Sequence, residues 1–370
     1  VAIVEGIPAG MNLLSADIDG DLARRQRGYG RGGRMKIEHD HAEITSGVRG
    51  GVTLGSPIAM SIENRDHASW QGRMGAAPFD AVPEAVTRPR PGHADLSGGL
   101  KYDRKDLRDI LERASARETA ARTAIGAVAK KLLAAFGIDV FAHVIAIGDV
   151  DATTIADLAE IKALARASDL ACADPVAEEK MKIAIHDASH AGDTLGGVFE
   201  VIATGVMPGL GSHVHWDRKL DGRLAQAMMS IQAIKAVSIG DGEAAARRRG
   251  STVHDPIHYD SKNRAFTRPT NHAGGIEGGI TNGAPVTVRG FMKPIATLKK
   301  ALPSVDVNTK EPFLAAHERS DICAVAAASI VGEAMVAITL ADALLEKFGG
   351  DSMTELERNI DGYKKQIENY

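Results

Sequence analysis

Ile58, Met60 and Ile62 alternate with Ala59, Ser61 and Glu63, the period of a strand with one buried face. Val1 to Glu5 reads as another strand, ended by Gly6-Ile7-Pro8-Ala9-Gly10. A helix should follow. Ser15 is its N-cap by residue type, Asp17 and Asp19 sit in its first turn and Arg24 and Arg25 in its last, and Gly28 stops it. The clearest helical spacing is that of Ile125, Val128, Ala129, Leu132, Leu133 and Phe136. It predicts a helix from about Ala116 to Phe136, closed by Gly137. Strands are expected over 140–147, 198–206 and 286–292, and helices over 220–232 and 334–348. A last helix opens on the capping box Ser352-x-x-Glu355. Residues 149–192 are rich in alanine and charge and lean helical, which reads as a peripheral insertion in a single domain spanning 1–370. Strands and helices mix without regular βαβ alternation, so the expected class is α+β.

One internal echo bears on the architecture. Val4-Glu5-Gly6-Ile7-Pro8-Ala9-Gly10 resembles Ala203-Thr204-Gly205-Val206-Met207-Pro208-Gly209. Asp19-Gly20-Asp21-Leu22-Ala23 likewise resembles Asp221-Gly222-Arg223-Leu224-Ala225. The echo predicts two related halves packed about a pseudo-twofold axis.

A chain of 370 residues, 44% hydrophobic and 25% charged, has the make-up of a soluble globular protein. No uninterrupted apolar run of about 18 residues is present, so no membrane span is expected. The first residues fit neither a signal nor a transit peptide, and read as a strand whose start is missing. Cys172 and Cys323 are too few for a disulfide framework, which points to a reducing cytosol and buried, inert thiols.

Net charge is −4, yet Arg24, Arg25, Arg27, Arg31 and Arg34 fall within one short stretch. Arg88, Arg90, Arg104, Arg108, Arg113, Arg117 and Arg122 follow. Local arginine clusters in an acidic protein suit small anionic ligands. In 24–34 the guanidinium groups are interleaved with glycines that let a backbone approach phosphate or carboxylate. The rival readings are a solvated loop and an RNA-binding Arg-Gly tract. Such tracts are long and repeated, and no stacking aromatic platform lies near these arginines, so no nucleic-acid partner is expected.

Thr87-Arg88-Pro89-Arg90-Pro91-Gly92-His93-Ala94-Asp95 holds Arg90 and His93 in a proline-stiffened loop, where a histidine can act as an acid near neutral pH. Ser115-x-x-Glu118 is a capping box, and a helix N-terminus flanked by Arg113 and Arg117 is also an anion site. The glycine-rich run Asn271 to Gly283 fits no dinucleotide or P-loop template. Lys293-Pro294-Ile295-Ala296-Thr297 follows a strand and could hold a phosphate, or be an ordinary turn. Arg319-Ser320-Asp321 precedes an apolar helical run and reads on pattern alone as a cap. Several histidine pairs, among them His186 and His190, lack a third ligand in a known pattern, so no metal is expected.

Taken in order, these segments resemble the chorismate synthase family over essentially the whole chain. The most specific are Arg90-Pro91-Gly92-His93-Ala94-Asp95, Ser115-Ala116-Arg117-Glu118-Thr119 and Asn271-His272-Ala273-Gly274-Gly275-Ile276. Met229 to Lys235 and Ile239-Gly240-Asp241-Gly242 agree with them, and Arg31-Gly32-Gly33-Arg34 looks like the shorter bacterial branch. The resemblance implies a β-α-β sandwich, a homotetramer and tightly bound reduced FMN, with NADPH as an indirect reductant. It implies an anti-1,4-elimination of phosphate from 5-enolpyruvylshikimate 3-phosphate, giving chorismate in the shikimate pathway. The departing hydrogen is not acidic, and reduced flavin is expected to lend electron density and take that hydrogen at N5.

Carried over by position, His93 would protonate the reduced ring, Asp321 would assist N5, and Ser115 would place a hydroxyl near that aspartate. Arg25, Arg31, Arg34, Arg90, Arg117 and Arg319 would bind substrate anions or flavin. Arg113, Ala114, Ser115, Gln232, Ala233, Gly278, Lys293, Pro294, Ile295, Ala296, Thr297 and Arg319 would form the FMN cradle. The family's Gly-Glu-Ser-His-Gly segment, with a second catalytic histidine, has no counterpart before Val4. The resemblance therefore implies a truncated start, and a chain without the chemistry is an alternative outcome. Ala236, Ser238 and Glu243 depart from the family's usual glycine, glutamate and aromatic residue.

Overall fold

The computed structural model describes residues 1–32, 39–262, 264–315 and 320–370. The chain opens with β1 (Ala2–Val4), α1 (Ser15–Gln26), β2 (Ala42–Ser46), β3 (Val48–Arg49), β4 (Val52–Thr53) and β5 (Ile58–Ile62). Three short helices follow, α2 (Gln71–Met74), α3 (Asp95–Tyr102) and α4 (Arg108–Ala114), then the long α5 (Thr119–Ala135). β6 (Asp139–Ile147), β7 (Val150–Asp151), α6 (Leu158–Ala167) and α7 (Pro175–Ala191) lead into the second half. That half comprises β8 (Gly197–Thr204), α8 (Leu220–Met229), β9 (Ile234–Ile239), α9 (Glu243–Ala246), β10 (His258–Asp260) and β11 (Ala265–Thr267). It continues through β12 (Ile276–Glu277), β13 (Ile280–Thr281), β14 (Val286–Met292), β15 (Pro303–Val305) and β16 (Pro312–Leu314) to α10 (Val325–Phe348) and α11 (Met353–Glu368).

Two antiparallel sheets, β1-β5-β2 and β7-β6-β8-β14-β9, enclose a layer formed by α1, α5, α8 and α10. α5 and α10 cross at its centre, where a Cβ on Gly126 would lie 2.2 Å from that of Ala334. One continuous core spans both halves. Residues 149–192 do more than decorate the periphery. Ile161 and Ala173 cover the outer sheet face at Phe141 and Ile202, while Met181 and Ile185 of α7 join the main core.

The sequence echo marks a true structural repeat. Val4 pairs with Ile58 in the first sheet as Ala203 pairs with Val286 in the second, and the orders β1-β5-β2 and β8-β14-β9 match. Thr53 accepts the Gly10 N–H on its carbonyl (2.9 Å) and the Met11 N–H on Oγ1 (3.0 Å), and donates Oγ1–H to the Pro8 carbonyl (2.6 Å). Thr281 does the same with Gly209 (2.9 Å), Leu210 (2.8 Å) and Met207 (2.7 Å). Each threonine ends a hairpin whose turn is two glycines, Gly50-Gly51 with φ of 59° and 79°, Gly278-Gly279 with φ of 61° and 91°. Both turns need left-handed backbone at two successive residues, which glycine adopts without strain.

Three boundaries differ from the sequence reading for reasons visible in the structure, and the helix expected over 220–232 ends at Met229. Leu14, not Ser15, is the N-cap of α1, because the Asp17 carboxylate reaches back to the Leu14 N–H at 2.8 Å. At 115–118 the capping box is only half made. Ser115 Oγ accepts the Arg117 N–H at 3.3 Å, but the Glu118 carboxylate turns to Arg122 and Gln232, and α5 starts at Thr119 after a 3-10 turn. α10 begins at Val325 rather than Ala334, since its alanine-rich first turns are buried on nearly all sides and show no amphipathic period. By length and composition α10 could cross a bilayer, although no unbroken apolar run signalled it; here it is the core helix.

Candidate active site

α1 and α8 end, and α5 and α10 begin, at the same end of the helical layer. Arg25 Nη1 reaches Thr119 Oγ1 at 3.4 Å, the Gly30 carbonyl accepts the Ile322 N–H at 2.9 Å, and Arg122 Nη1 donates to Ser230 Oγ at 2.8 Å. Two long helices thus turn their N-termini, with free N–H groups and partial positive charge, toward one place.

The first arginine cluster is built around acids inside the fold. Asp40, its side chain only 1% exposed, takes Arg25 Nη2 at 2.5 Å on one oxygen and Arg117 Nη1 at 2.7 Å on the other. Arg31 Nε lies 3.0 Å from Asp321 Oδ2, and the Gly32 N–H donates to Asp321 Oδ1 at 2.6 Å. Burial, reinforced by the charge of Arg25, draws Arg31 below the ordinary arginine pKa while Asp321 opposes the shift. These guanidinium groups face inward onto acids within the fold and are not solvated. Arg24 is committed elsewhere. With Lys130 it grips the fully buried Glu333, which also accepts the Ala142 N–H at 2.8 Å.

The proline-stiffened loop joins this cluster through the segment after β14. Arg90 Nη1 donates to Thr297 Oγ1 at 2.9 Å, and the Thr297 carbonyl accepts from Ser320 Oγ at 3.4 Å, one residue before Asp321. Asp95, 2% exposed in its side chain, takes Arg90 Nε at 3.0 Å and His93 Nδ1 at 2.5 Å. Burial would raise the Asp95 pKa, but the hydrogen bonds from His93 and Arg90 outweigh it and hold the carboxyl well below the usual range. The carboxylate holds Nδ1, and Arg90 Nη2 lies 3.3 Å from Nε2, so the imidazole is fixed between an acid and a guanidinium group.

The cradle segments meet at the same end. Lys293 N–H donates to the Ala233 carbonyl at 3.0 Å, and Lys293 Nζ to the Gly92 carbonyl at 2.5 Å. Pro294 lies against Gly196, Ile295 accepts from Thr194 Oγ1 at 2.8 Å, and Ala296 lies near Gly92. Gln232 hydrogen-bonds Glu118 at the start of α5. Arg113 and Ala114 end α4 just before Ser115, Arg113 being exposed. Gly278 stands apart. Its hairpin receives the Leu220 N–H at Gly279, at the opposite end of α8 from Gln232, a separation of about 15 Å. Arg34 and Arg319 lie outside the described residues.

The buried atoms Arg25 Nε and Gln232 Oε1 have no hydrogen-bond partner among the described residues. Such orphans call for an explanation, and a bound ligand supplies one. An orphan donor suits an anion, and an orphan acceptor suits a ring N–H of a flavin, so the residues present fit FMN and an anionic substrate. Among the described residues no three His, Cys, Asp or Glu side chains are grouped to hold a metal ion. Burial pushes the Cys323 thiol, two residues after Asp321, up to about 11, as it does that of Cys172. Sequence reasoning assigned no role to Asp40 or Asp95 and read Glu118 only as the acid of a capping box. Asp95 and Glu118 were inside quoted motifs, whereas Asp40 carried no signal, since its partners are distant in sequence.

The family model for chorismate synthase matches residues 1–345. The chain belongs to the chorismate synthase family. It is 57% identical to the chorismate synthase of Geobacter sulfurreducens over 99% of this chain and 95% of that protein. The chorismate synthase of Aquifex aeolicus is 55% identical, over 100% of this chain and 95% of its own length. A crystal structure of chorismate synthase, 46% identical, covers 100% of this chain and 94% of its own with a TM-score of 0.80. The fold is therefore that of chorismate synthase, α+β with helices between two sheets.

Proposed function

We propose that this protein is a carbon–oxygen lyase that forms chorismate from 5-enolpyruvylshikimate 3-phosphate with reduced FMN. The observation that supports the reading most is the chain of contacts from His93 and Arg90 through Thr297 and Ser320 to Asp321, Arg31, Arg25, Asp40 and Arg117. It gathers residues from distant segments at one end of the helical layer. The substrate carries one phosphate and two carboxylates, and Arg25, Arg31, Arg90 and Arg117 would hold it, joined by Arg34 and Arg319. Guanidinium groups pre-oriented by buried acids lose little freedom when they take an anion.

Reduced FMN, when bound, supplies electron density to the substrate as phosphate leaves, and a site for the departing hydrogen. Gln232, Ala233, Ser115, Arg113, Ala114 and Lys293 to Thr297 would hold it, with Gly278 contributing from its separate hairpin. His93, held between Asp95 and Arg90, would give a proton to the ring. Asp321, held by Arg31 and the Gly32 N–H, would accept one beside the ring, with the Ser115 hydroxyl near it. A cytosolic homotetramer, with NADPH as indirect reductant, completes the proposal.

The test is anaerobic incubation with 5-enolpyruvylshikimate 3-phosphate and chemically reduced FMN. Chorismate and inorganic phosphate should appear in equal amounts, and FMN should be retained more tightly with substrate present. Absence of both product and flavin binding would overturn the reading.

A further inference from the structure

Glu118 lies in the turn before α5, yet its carboxylate serves the end of α8. Oε1 accepts from Gln232 Nε2, and Oε2 accepts from Arg122 Nε at 3.0 Å. Arg122 in turn donates through Nη1 to Ser230 Oγ at 2.8 Å and to the Ser230 carbonyl at 3.3 Å, two residues from Gln232. The start of α5 and the end of α8 are therefore stitched at two adjacent points.

This arrangement fixes the direction of an amide. A carboxylate only accepts, so Gln232 must present Nε2 to Glu118; the flipped amide would set oxygen against oxygen. With Nε2 so engaged, Oε1 must point the other way, and there it is buried without a donor. An unmatched buried acceptor is unfavourable by itself and makes sense as half of a contact.

We propose that Glu118 is a positioning residue for the cofactor. By engaging Nε2 of Gln232 it commits Oε1 to accept a hydrogen bond from a ring N–H of the isoalloxazine. The inference rests on the flavin reading above and assigns a role to Glu118, which would not itself touch the ring. In Glu118→Gln the new carboxamide can both donate and accept, so the Gln232 amide is no longer held in one sense.

The experiment is a double-mutant cycle on the dissociation constant of oxidised FMN, read by quenching of flavin fluorescence in the full chain. Glu118→Gln should weaken binding about fivefold and Gln232→Leu about tenfold, the scale of one hydrogen bond to a buried partner. The double variant should stay near tenfold instead of the roughly fiftyfold that independent effects give. Thermal unfolding of each variant separates loss of fold from loss of contact. A fiftyfold loss in the double variant, or an unchanged constant in a folded Glu118→Gln, overturns the role of Glu118 while leaving the flavin reading in place. Failure of the unsubstituted chain to bind FMN overturns both.

Discussion

In the first half of the molecule α1 runs out from β1 and ends among Arg24, Arg25 and Arg31; in the second, α8 runs out from β8 and ends at Ser230, Gln232 and Ala233. The scaffolds match down to the threonine circuit and the glycine turns, while the helix ends differ in chemistry. One end presents cations held on buried acids, the other an amide with a fixed sense. The difference teaches that the repeat is kept by backbone hydrogen bonds within each half, which depend on few side chains. The helix ends were thus free to differ, and in the proposed function one serves as the anion-binding side and the other as the ring-binding side.

The comparison can be broken most sharply at the chemistry. His93→Ala should lower turnover about 10²- to 10⁴-fold, the usual worth of a positioned acid, with an unchanged circular dichroism spectrum. Near-normal turnover would remove His93 from the mechanism.

Next comes the asymmetric charge between the halves. Burial would raise the Glu333 pKa, but Lys130 and Arg24 outweigh it and hold the carboxyl at about 2, against 4.5 for a free glutamate. A depressed folded pKa gives stability that is complete above the unfolded value, so it should be lost as pH falls from about 4.5 toward 2. Glu333→Gln should cost about 1–3 kcal/mol in urea unfolding near neutral pH, because Arg24 and Lys130 lose their buried acid and keep only Asp21. The difference between variant and parent should shrink across that acid window.

An effect of similar size tests the repeat itself. Thr53→Val and Thr281→Val should each cost about 1–3 kcal/mol, since each strands a buried backbone N–H and a carbonyl. Unfolding free energies that differ by more than about 1 kcal/mol would show that the two circuits are not equivalent in strength. The smallest effect separates scaffold from ligand. Gly50→Ala and Gly278→Ala force alanine into the left-handed region at about 1–2 kcal/mol each. Equal stability losses, with FMN binding weakened only in Gly278→Ala, would sharpen the division between the halves. Equal FMN affinity in both would remove Gly278 from the cradle.

The elements most legible in the sequence were those with one buried face. β5 spans Ile58–Ile62 as the alternation predicts, and β14 spans the expected Val286–Met292. α10 was read short because burial on all sides erases periodicity. The echo at 4–10 and 203–209 was visible, but the stronger match between Gly47-Val48-Arg49-Gly50-Gly51-Val52-Thr53 and Gly275-Ile276-Glu277-Gly278-Gly279-Ile280-Thr281 was missed. It sits at a different offset, because the two halves carry connections of different length between strand and hairpin. In the site, His93 and Arg90 were legible because prolines fix their separation locally. Asp40 was not, since nothing near it in sequence foretells that it bridges Arg25 and Arg117.

The sequence by itself determined the family, the mixed class, most helices and strands, and the motifs that carry the clustered arginines and His93. These follow from local periodicity, turn chemistry and motif order, which act over a few residues. Only the tertiary structure decided which acid holds which arginine, which way the Gln232 amide points, and that Gly278 lies a helix length from Gln232. Those facts depend on how two sheets close over one helical layer, where partners a hundred residues apart meet and burial strengthens their pairing.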